Sequence, residues 1–423
     1  MISNTTKSLE PGSRIQYFHR LILYILPFAI VSGPFLSDFI VVLSGLICLF
    51  LILRDKEYKY FFNKIFIIYF LWCLFLIFSS LMSKNPNLSL ESSLFFWRFG
   101  LFSISVWYAC DKNIKFIKYF TISLSTIFCI VIFDGFFQYF TGQNLLGYPY
   151  HASVGRLSGL FGDELILGNF LARLFPLLVG LLILIYNNSY KALFFILALF
   201  IAVDVLTFIA GERVAVFYLI LSALIMIVLI NKWRIFRIAT LTTSLLVITL
   251  IIFLNSEIRN RMIDTTISQI NITDENYVAD HELLFTSAFK IFLDHRFIGS
   301  GPRMFRELCS EKDYYIENEL WNSCSTHPHN SYLQLLAETG LIGTLPVLFL
   351  FFLIIFVLLK HLRNIFYKKE ILLSDSHICL YSALIISLWP LATNMNFFNN
   401  YVNVISYLPI GFLMYLNNKS KEE

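Results

Sequence analysis

Charge is what this chain has least of. Of its 423 residues only 14% are Asp, Glu, Lys or Arg, while 57% are hydrophobic and 17% aromatic, and the mean hydropathy is +0.71. A soluble domain carries about a quarter charged residues, so a polytopic membrane protein is expected instead of a water-soluble globule. The net charge of +4 is small and dispersed, with no long basic run, and nothing points to nucleic acid. The polar stretch from Met1 to Pro11 lacks a small-residue cleavage site, so no removable signal peptide is read there and the first apolar segment is expected to stay. ATP-binding motifs, Rossmann glycine patterns and His/Cys sets at metal-ligand spacing are missing as well. No metal and no cofactor are therefore expected. Internal repeats and low-complexity tracts are also lacking.

What is present is a series of apolar runs, each near the roughly 20 residues that a helix needs to cross a bilayer. Twelve are found, at about 17–34, 36–54, 61–82, 93–110, 116–140, 163–186, 190–210, 213–231, 235–254, 329–359, 376–394 and 400–417. The expected fold class is an all-α polytopic membrane bundle. Its organisation is nine helices in residues 1–254, a large outer loop in 255–328 and three helices with a short tail in 329–423.

Lys and Arg in the short loops give the orientation. With the N-terminus inside, inner segments hold Lys7, Arg14, Arg20, Arg54, Lys56, Lys59, Lys64, Lys112, Lys115, Lys118, Lys191, Lys232, Arg234 and Arg237. The last inner groups are Lys360, Arg363, Lys368, Lys369, Lys419 and Lys421, whereas short outer loops hold only Lys84, Arg156 and Arg213. Both termini are thus expected in the cytoplasm and the long loop outside.

That loop is partly ordered on its own account. Asp280 to Arg296, "DHELLFTSAFKIFLDHR", places Leu284, Ala288 and Phe292 at helical spacing, with Phe285 and Phe289 alongside. An amphipathic helix resting on the membrane or the bundle is expected. Cys48, Cys73, Cys110, Cys129 and Cys379 fall in or beside spans, whereas Cys309 and Cys324 share the loop. On an oxidising face that pair forms a disulfide or stays as two thiols, and spacing leaves both open.

Charges within a span default to a functional hypothesis. Arg98, Asp134, Arg173 and Asp204 are such residues. The first, second and fourth fall in the outer half and Arg173 nearer the middle, which suggests a polar cavity opening outward. The competing reading is structural, with Arg and Asp tying helices together. Three outer stretches extend the polar set. "GRLSGLFGDELILGNF" carries Arg156, Asp163 and Glu164. "AGERVAV" turns at Gly211 and starts a span with Arg213, a natural seat for a phosphate at a helix N-terminus. "GSGPRMF" presents Arg303 from a glycine-rich turn.

The stretch "THPHNSYLQLLAETGLIG", Thr326 to Gly343, sets two histidines against the mouth of an apolar run. Pro328 suits the first helical position, which places His329 in the first turn. The helix dipole there keeps an imidazole neutral and able to accept a proton. His327 then lies outside the helix, and Gly340 and Gly343 let another helix approach.

His-Asn, nine residues, Gly, two residues, Gly, opening a span directly after a large outer loop, resembles the O-antigen ligase family. That superfamily includes O-antigen polymerases and some bacterial protein O-oligosaccharyltransferases. "RLSGLFGDELILG", "IGSGPRMF" and the Arg that follows a glycine turn are similar to it too. The resemblance runs through motifs from about Arg156 to Leu362, and through topology over the whole chain.

It implies a lipid-carrier glycosyltransferase bundle in the bacterial inner membrane, with the active site in the periplasm. Such an enzyme moves a glycan from an undecaprenyl-pyrophosphate donor to a lipid A–core or glycan acceptor. By that resemblance Arg213, Arg303 and Arg156 bind the pyrophosphate, His329 is the base, and His327, Asn330, Asp163 and Glu164 are candidate acceptor contacts. Two departures stand out: "GER" where a small hydroxyl residue often precedes the Arg, and "DHE" where many members carry an Arg. A polymerase, a protein glycosylating enzyme and, in a different class, a twelve-span transporter remain as alternatives.

Overall fold

The computed structural model describes residues 11–151, 155–186, 190–230, 234–270, 280–318, 321–368 and 370–422. Lys7, Lys232 and Lys369, counted above for orientation, lie outside them. Each of the twelve apolar stretches holds a helix, although residues 163–166 of the sixth and 388–394 of the eleventh are not helical: α1 Pro11–Ser32, α2 Pro34–Asp55, α3 Lys64–Leu81, α4 Trp97–Lys112, α5 Lys115–Thr141 and α6 Leu167–Tyr186. They continue with α7 Tyr190–Ile209, α8 Arg213–Leu229, α9 Arg234–Leu254, then, beyond the loop helix α10 Asp280–Asp294, with α11 Ser331–Arg363, α12 Asp375–Ser387 and α13 Asn400–Glu422. Among the described residues there is no strand, only isolated bridges. The chain is an all-α polytopic membrane protein.

Seven of these helices are long and apolar enough to cross a membrane, and Leu193–Ile209 and Arg213–Leu229 are shorter apolar helices. Helices α4, α12 and α13 fall outside both groups, the first two for a physical reason. Residues 99–110 of α4 and 376–386 of α12 are buried throughout, so these helices face protein and tolerate Ser, His and Tyr. At the other extreme α9 exposes Ile235, Leu246 and Phe253 outward. Lipid tails are as apolar as a protein core, so composition alone cannot tell the two faces apart.

Close packing centres on α4, α6, α12 and α13. A β-carbon at Gly411 of α13 would lie 2.6 Å from the Ser103 carbonyl oxygen and from Val106 on α4, so the two backbones meet as only a glycine permits. Most intramembrane charges act as ties between helices. Arg98 donates to Asp38 (3.0 Å) and Asn400 (2.7 Å). Asp204 accepts two bonds from Arg237 (2.8 and 3.1 Å) and one from Ser244 (3.0 Å). Asp134 accepts from the Leu145 amide (2.8 Å), fixing the turn after α5. Among the described residues each of the four has its own partners, and Arg173 joins the candidate site.

The loop between α9 and α11 builds a small core of its own. Leu284, Ala288 and Ile291 of α10 pack with Met304, Phe305, Leu308, Tyr314 and Ala337. The buried face is thus rotated from the expected one, with Phe292 half-buried and Phe289 exposed, because α11 and the segment after α10 supply the partners. Cys309 and Cys324 form a disulfide with Cα atoms 5.2 Å apart, closing a loop of sequence separation 15.

Candidate functional site

The turn between α7 and α8 lies against the loop that carries Arg156. Gly211 has φ +76°, and a β-carbon there would lie 2.4 Å from the Gly155 carbonyl oxygen. A glycine is therefore needed both for the turn and for the approach. This contact brings Arg156 beside Arg213, the first residue of α8. The short helical run Asn260–Asp264, just past α9, adds Arg261, whose Nε donates to the Gly211 carbonyl (3.4 Å). Burial lowers the Arg261 pKa, and the Arg213 and Arg156 guanidiniums lower it further. Three like charges thus meet at one place. Arg261 escaped the sequence reading; its signal was an Arg soon after a span that ends on the same face as Arg213.

Glu212 accounts for the departure at "GER". Its carboxylate accepts from the Gly168 amide (2.7 Å), the Asn169 amide (3.1 Å) and Asn169 Nδ2 (2.6 Å). It therefore caps the positive end of α6 while lying 3.6 Å from Arg156. Burial raises its pKa against the opposing pull of Arg156.

From Glu212 a line of polar contacts runs through the bundle. Asn169 Oδ1 accepts from Arg173 Nε (3.5 Å), and Arg173 Nη2 donates to Asn394 Oδ1 (2.6 Å). The Asn394 backbone amide donates to the His329 carbonyl (2.7 Å), and its carbonyl lies 3.3 Å from His327 Nε2. Arg173 is buried over the Tyr218 ring (4.9 Å) and pairs with no carboxylate among the described residues. A buried cation without a counter-charge costs several kcal/mol, so the arrangement favours an incoming anion. Consistent with that, Arg156 Nε and Arg173 Nη1 make no hydrogen bond among the described residues.

The histidines stand at the far end of this line. The rings of His327 and His329 are 4.2 Å apart, and His281 lies 5.3 Å from His329. The "DHE" departure therefore puts a third imidazole against the pair. His327 is engaged at both nitrogens, with Thr326 Oγ1 at 3.0 Å from Nδ1. A carbonyl can only accept, so Nε2 donates to Asn394 and Nδ1 accepts from the threonine hydroxyl. Burial first, then the neighbouring His329, lowers the His327 pKa to about 4.

His329 does not sit in the first turn of the helix. Its φ is +53°, and α11 begins at Ser331 with Asn330 as N-cap, accepting from the Tyr332 and Leu333 amides (3.0 Å each). An Asn cap that satisfies two orphan amides outcompetes a start at proline. Asn330 Nδ2 also donates to the Pro390 carbonyl (2.9 Å), so its side chain is occupied in structure. Asp163 and Glu164 precede α6 and are exposed, apart from this line.

Arg303 is placed elsewhere than expected. Also at positive φ (+65°), it pairs with Glu91, and no contact joins it to Arg156, Arg213 or Arg261 among those described. Arg306 is nearer the histidines, with Nη2 3.5 Å from the Thr326 carbonyl and Nε without a hydrogen bond among the described residues. The turn from 303 to 306 is held by buried Glu338 of α11, which accepts from the Phe305 amide (3.2 Å) and from Gln334 (3.0 Å). Gly340 breaks α11 at φ 61°, ψ −165°. The freed groups are taken by the loop: Ala337 and Glu338 carbonyls accept from Ser300 and Gly301, and Leu341 and Ile342 amides donate to Arg296 and Phe297. So the loop approaches at Gly340, whereas at Gly343 the neighbour is α3, through Trp72 Nε1 to the Gly343 carbonyl (2.8 Å).

An apolar cleft of about 1310 Å³ opens between α3, α4, α11, α12 and α13. Trp72, Leu350, Leu384 and Tyr407 line it, and it reaches Ser331 and Asn394 at the foot of the histidines. Arg173, the His327 and His329 segment and the apolar cleft thus meet at Asn394. Residues 194–348 match the family model described as O-antigen ligase. The match includes Arg213, Arg261, Arg306 and both motif histidines, while Arg156, Arg173 and Asn394 lie outside it. That match supports a glycosyltransferase-like enzyme of the O-antigen ligase or polymerase type. No curated protein matches the chain.

Proposed function

We propose that the protein is an O-antigen ligase acting at the outer face of the bacterial inner membrane. It transfers a glycan from undecaprenyl pyrophosphate to a lipid A–core acceptor, with inversion at the anomeric carbon and without a metal. The observation that carries this reading is the polar line from Arg156, Arg213 and Arg261 through Arg173 and Asn394 to His329, with the apolar cleft meeting it at Asn394. Fixed guanidiniums neutralise the leaving pyrophosphate where its charge develops. The isoprenoid tail occupies the cleft.

His329 takes the proton of the acceptor hydroxyl as that oxygen attacks the anomeric carbon, and the C–O bond to the pyrophosphate breaks with its electron pair. His327, held by Thr326 and Asn394, fixes the backbone on which His329 stands. In this reading all twelve apolar helices cross the bilayer and both termini face the cytoplasm.

Deleting the gene and resolving the lipopolysaccharide on a gel tests the assignment. A ligase predicts lipid A–core free of polymer, with polymer accumulating on the carrier. A single repeat unit still joined to core supports a polymerase instead.

A further inference from the structure

At the end of the bundle remote from Arg213, a second cavity of about 1120 Å³ lies between the starts of α5 and α12 and the ends of α6 and α13. We propose that it binds the head of an anionic phospholipid. Lys118 and Lys419 line it together with Ser374 and His377, and no carboxylate does; the nearest acidic residue in sequence is Asp375, at the start of α12. Ser374 and His377 are bonded to each other (2.7 Å), offering a hydroxyl and an imidazole beside the lysines.

The walls are apolar, with Ile114, Leu184 and Leu372 exposed outward at 65%, 37% and 45%. These three side chains suit acyl chains and not water, which argues against a soluble phosphate as the occupant. A basic pocket between the ends of membrane helices is a recurrent seat for acidic lipid heads.

A neighbouring cavity provides the internal comparison. It shares Tyr415 and Lys419 but adds Lys59, Lys112 and Asp111. There Lys59 pairs with Asp111 (3.1 Å) and Lys112 with Glu57, so its added cations are already neutralised. Lys118 has no such pair among the described residues.

Native mass spectrometry of the full-length protein from nanodiscs of mixed phosphatidylglycerol and phosphatidylcholine tests the site. The wild type is expected to retain one phosphatidylglycerol preferentially, and Lys118→Ala/Lys419→Ala to lose that preference at least threefold. Lys59→Ala/Lys112→Ala should keep it. Equal retention by the wild type and the first variant, or equal loss in both variants, overturns the proposal. A second measurement does not depend on the variants folding. Phosphatidylglycerol should raise the wild-type unfolding temperature more than phosphatidylcholine does, and equal shifts count against the site.

Discussion

Neighbouring histidines carry different duties in this site. His327 has both ring nitrogens committed, whereas His329 rides on a strained backbone position fixed through its own carbonyl. A general base contributes about 10²- to 10⁴-fold, so His329→Ala should reduce transfer by at least about a hundredfold while the protein still inserts. A transfer assay on purified protein that finds activity within tenfold of wild type removes the base role.

Acid should act through His327. Its folded pKa, about 4, lies below the ordinary histidine value of 6.5. The contribution of its neutral, doubly bonded state is therefore complete above about pH 6.5 and is lost as pH falls toward 4, by roughly 1.4 kcal/mol per unit. His281, His329 and Arg306 face it, so protonation adds like charge to like. Thermal unfolding measured between pH 7 and 4.5 should show this loss, and His327→Gln should flatten it. An unchanged slope in that variant assigns the titration to another group.

Among the arginines, Arg261 separates a binding role from a structural one. It belongs with Arg213 and Arg156, whereas Arg303 is spent on exposed Glu91. Losing a hydrogen bond to a charged group costs about 1.5 to 3 kcal/mol, so Arg261→Ala should raise the donor KM by about ten- to a hundredfold. Arg303→Ala should change it by less than about threefold. Steady-state kinetics with a lipid-linked donor ranks the two, and the reverse order refutes the placement of the pyrophosphate.

Helix by helix, the apolar runs were legible because each bilayer crossing requires its own uninterrupted stretch. Local competition was harder to read. Pro328 and Asn330 both bid for the start of α11, and the cap won by satisfying two amides. The register of α10 moved because its buried face is chosen by Met304 and Phe305, distant in sequence. Asn394, the junction of the site, lies in the connection between α12 and α13, where nothing in the local sequence signals its partners.

Its place in an apolar run makes Gly340 a packing residue by expectation, yet its φ of 61° and ψ of −165° belong to a region that only glycine adopts readily, at about 1 to 3 kcal/mol for others. A β-carbon there would also lie 2.4 Å from the Phe297 carbonyl oxygen. Gly340→Ala should therefore release the loop from α11, lowering the unfolding temperature and transfer together. Retained transfer with native-like melting would show that the break is dispensable.

Taken as one body, the protein keeps its polar line at one end of the bundle and most of its lysines at the other. The positive-inside tendency makes that asymmetry the basis of the proposed direction, with the α7–α8 turn and Arg213 facing out and Lys56, Lys118 and Lys419 facing in. In that proposal the activated donor is met on the outer side, and the disulfide of Cys309 and Cys324 lies in the compartment where thiols oxidise. Four of the five remaining cysteines are buried, and Cys129 lies within α5, so an added cysteine in a loop can be labelled with little background. Lys84→Cys, at the exposed turn after α3, should react with a membrane-impermeant maleimide in cells whose inner membrane is intact. Lys56→Cys, after α2, should react only once that membrane is opened. Labelling in the opposite order would turn the molecule over, and would move the arginines and His329 to the cytoplasmic face.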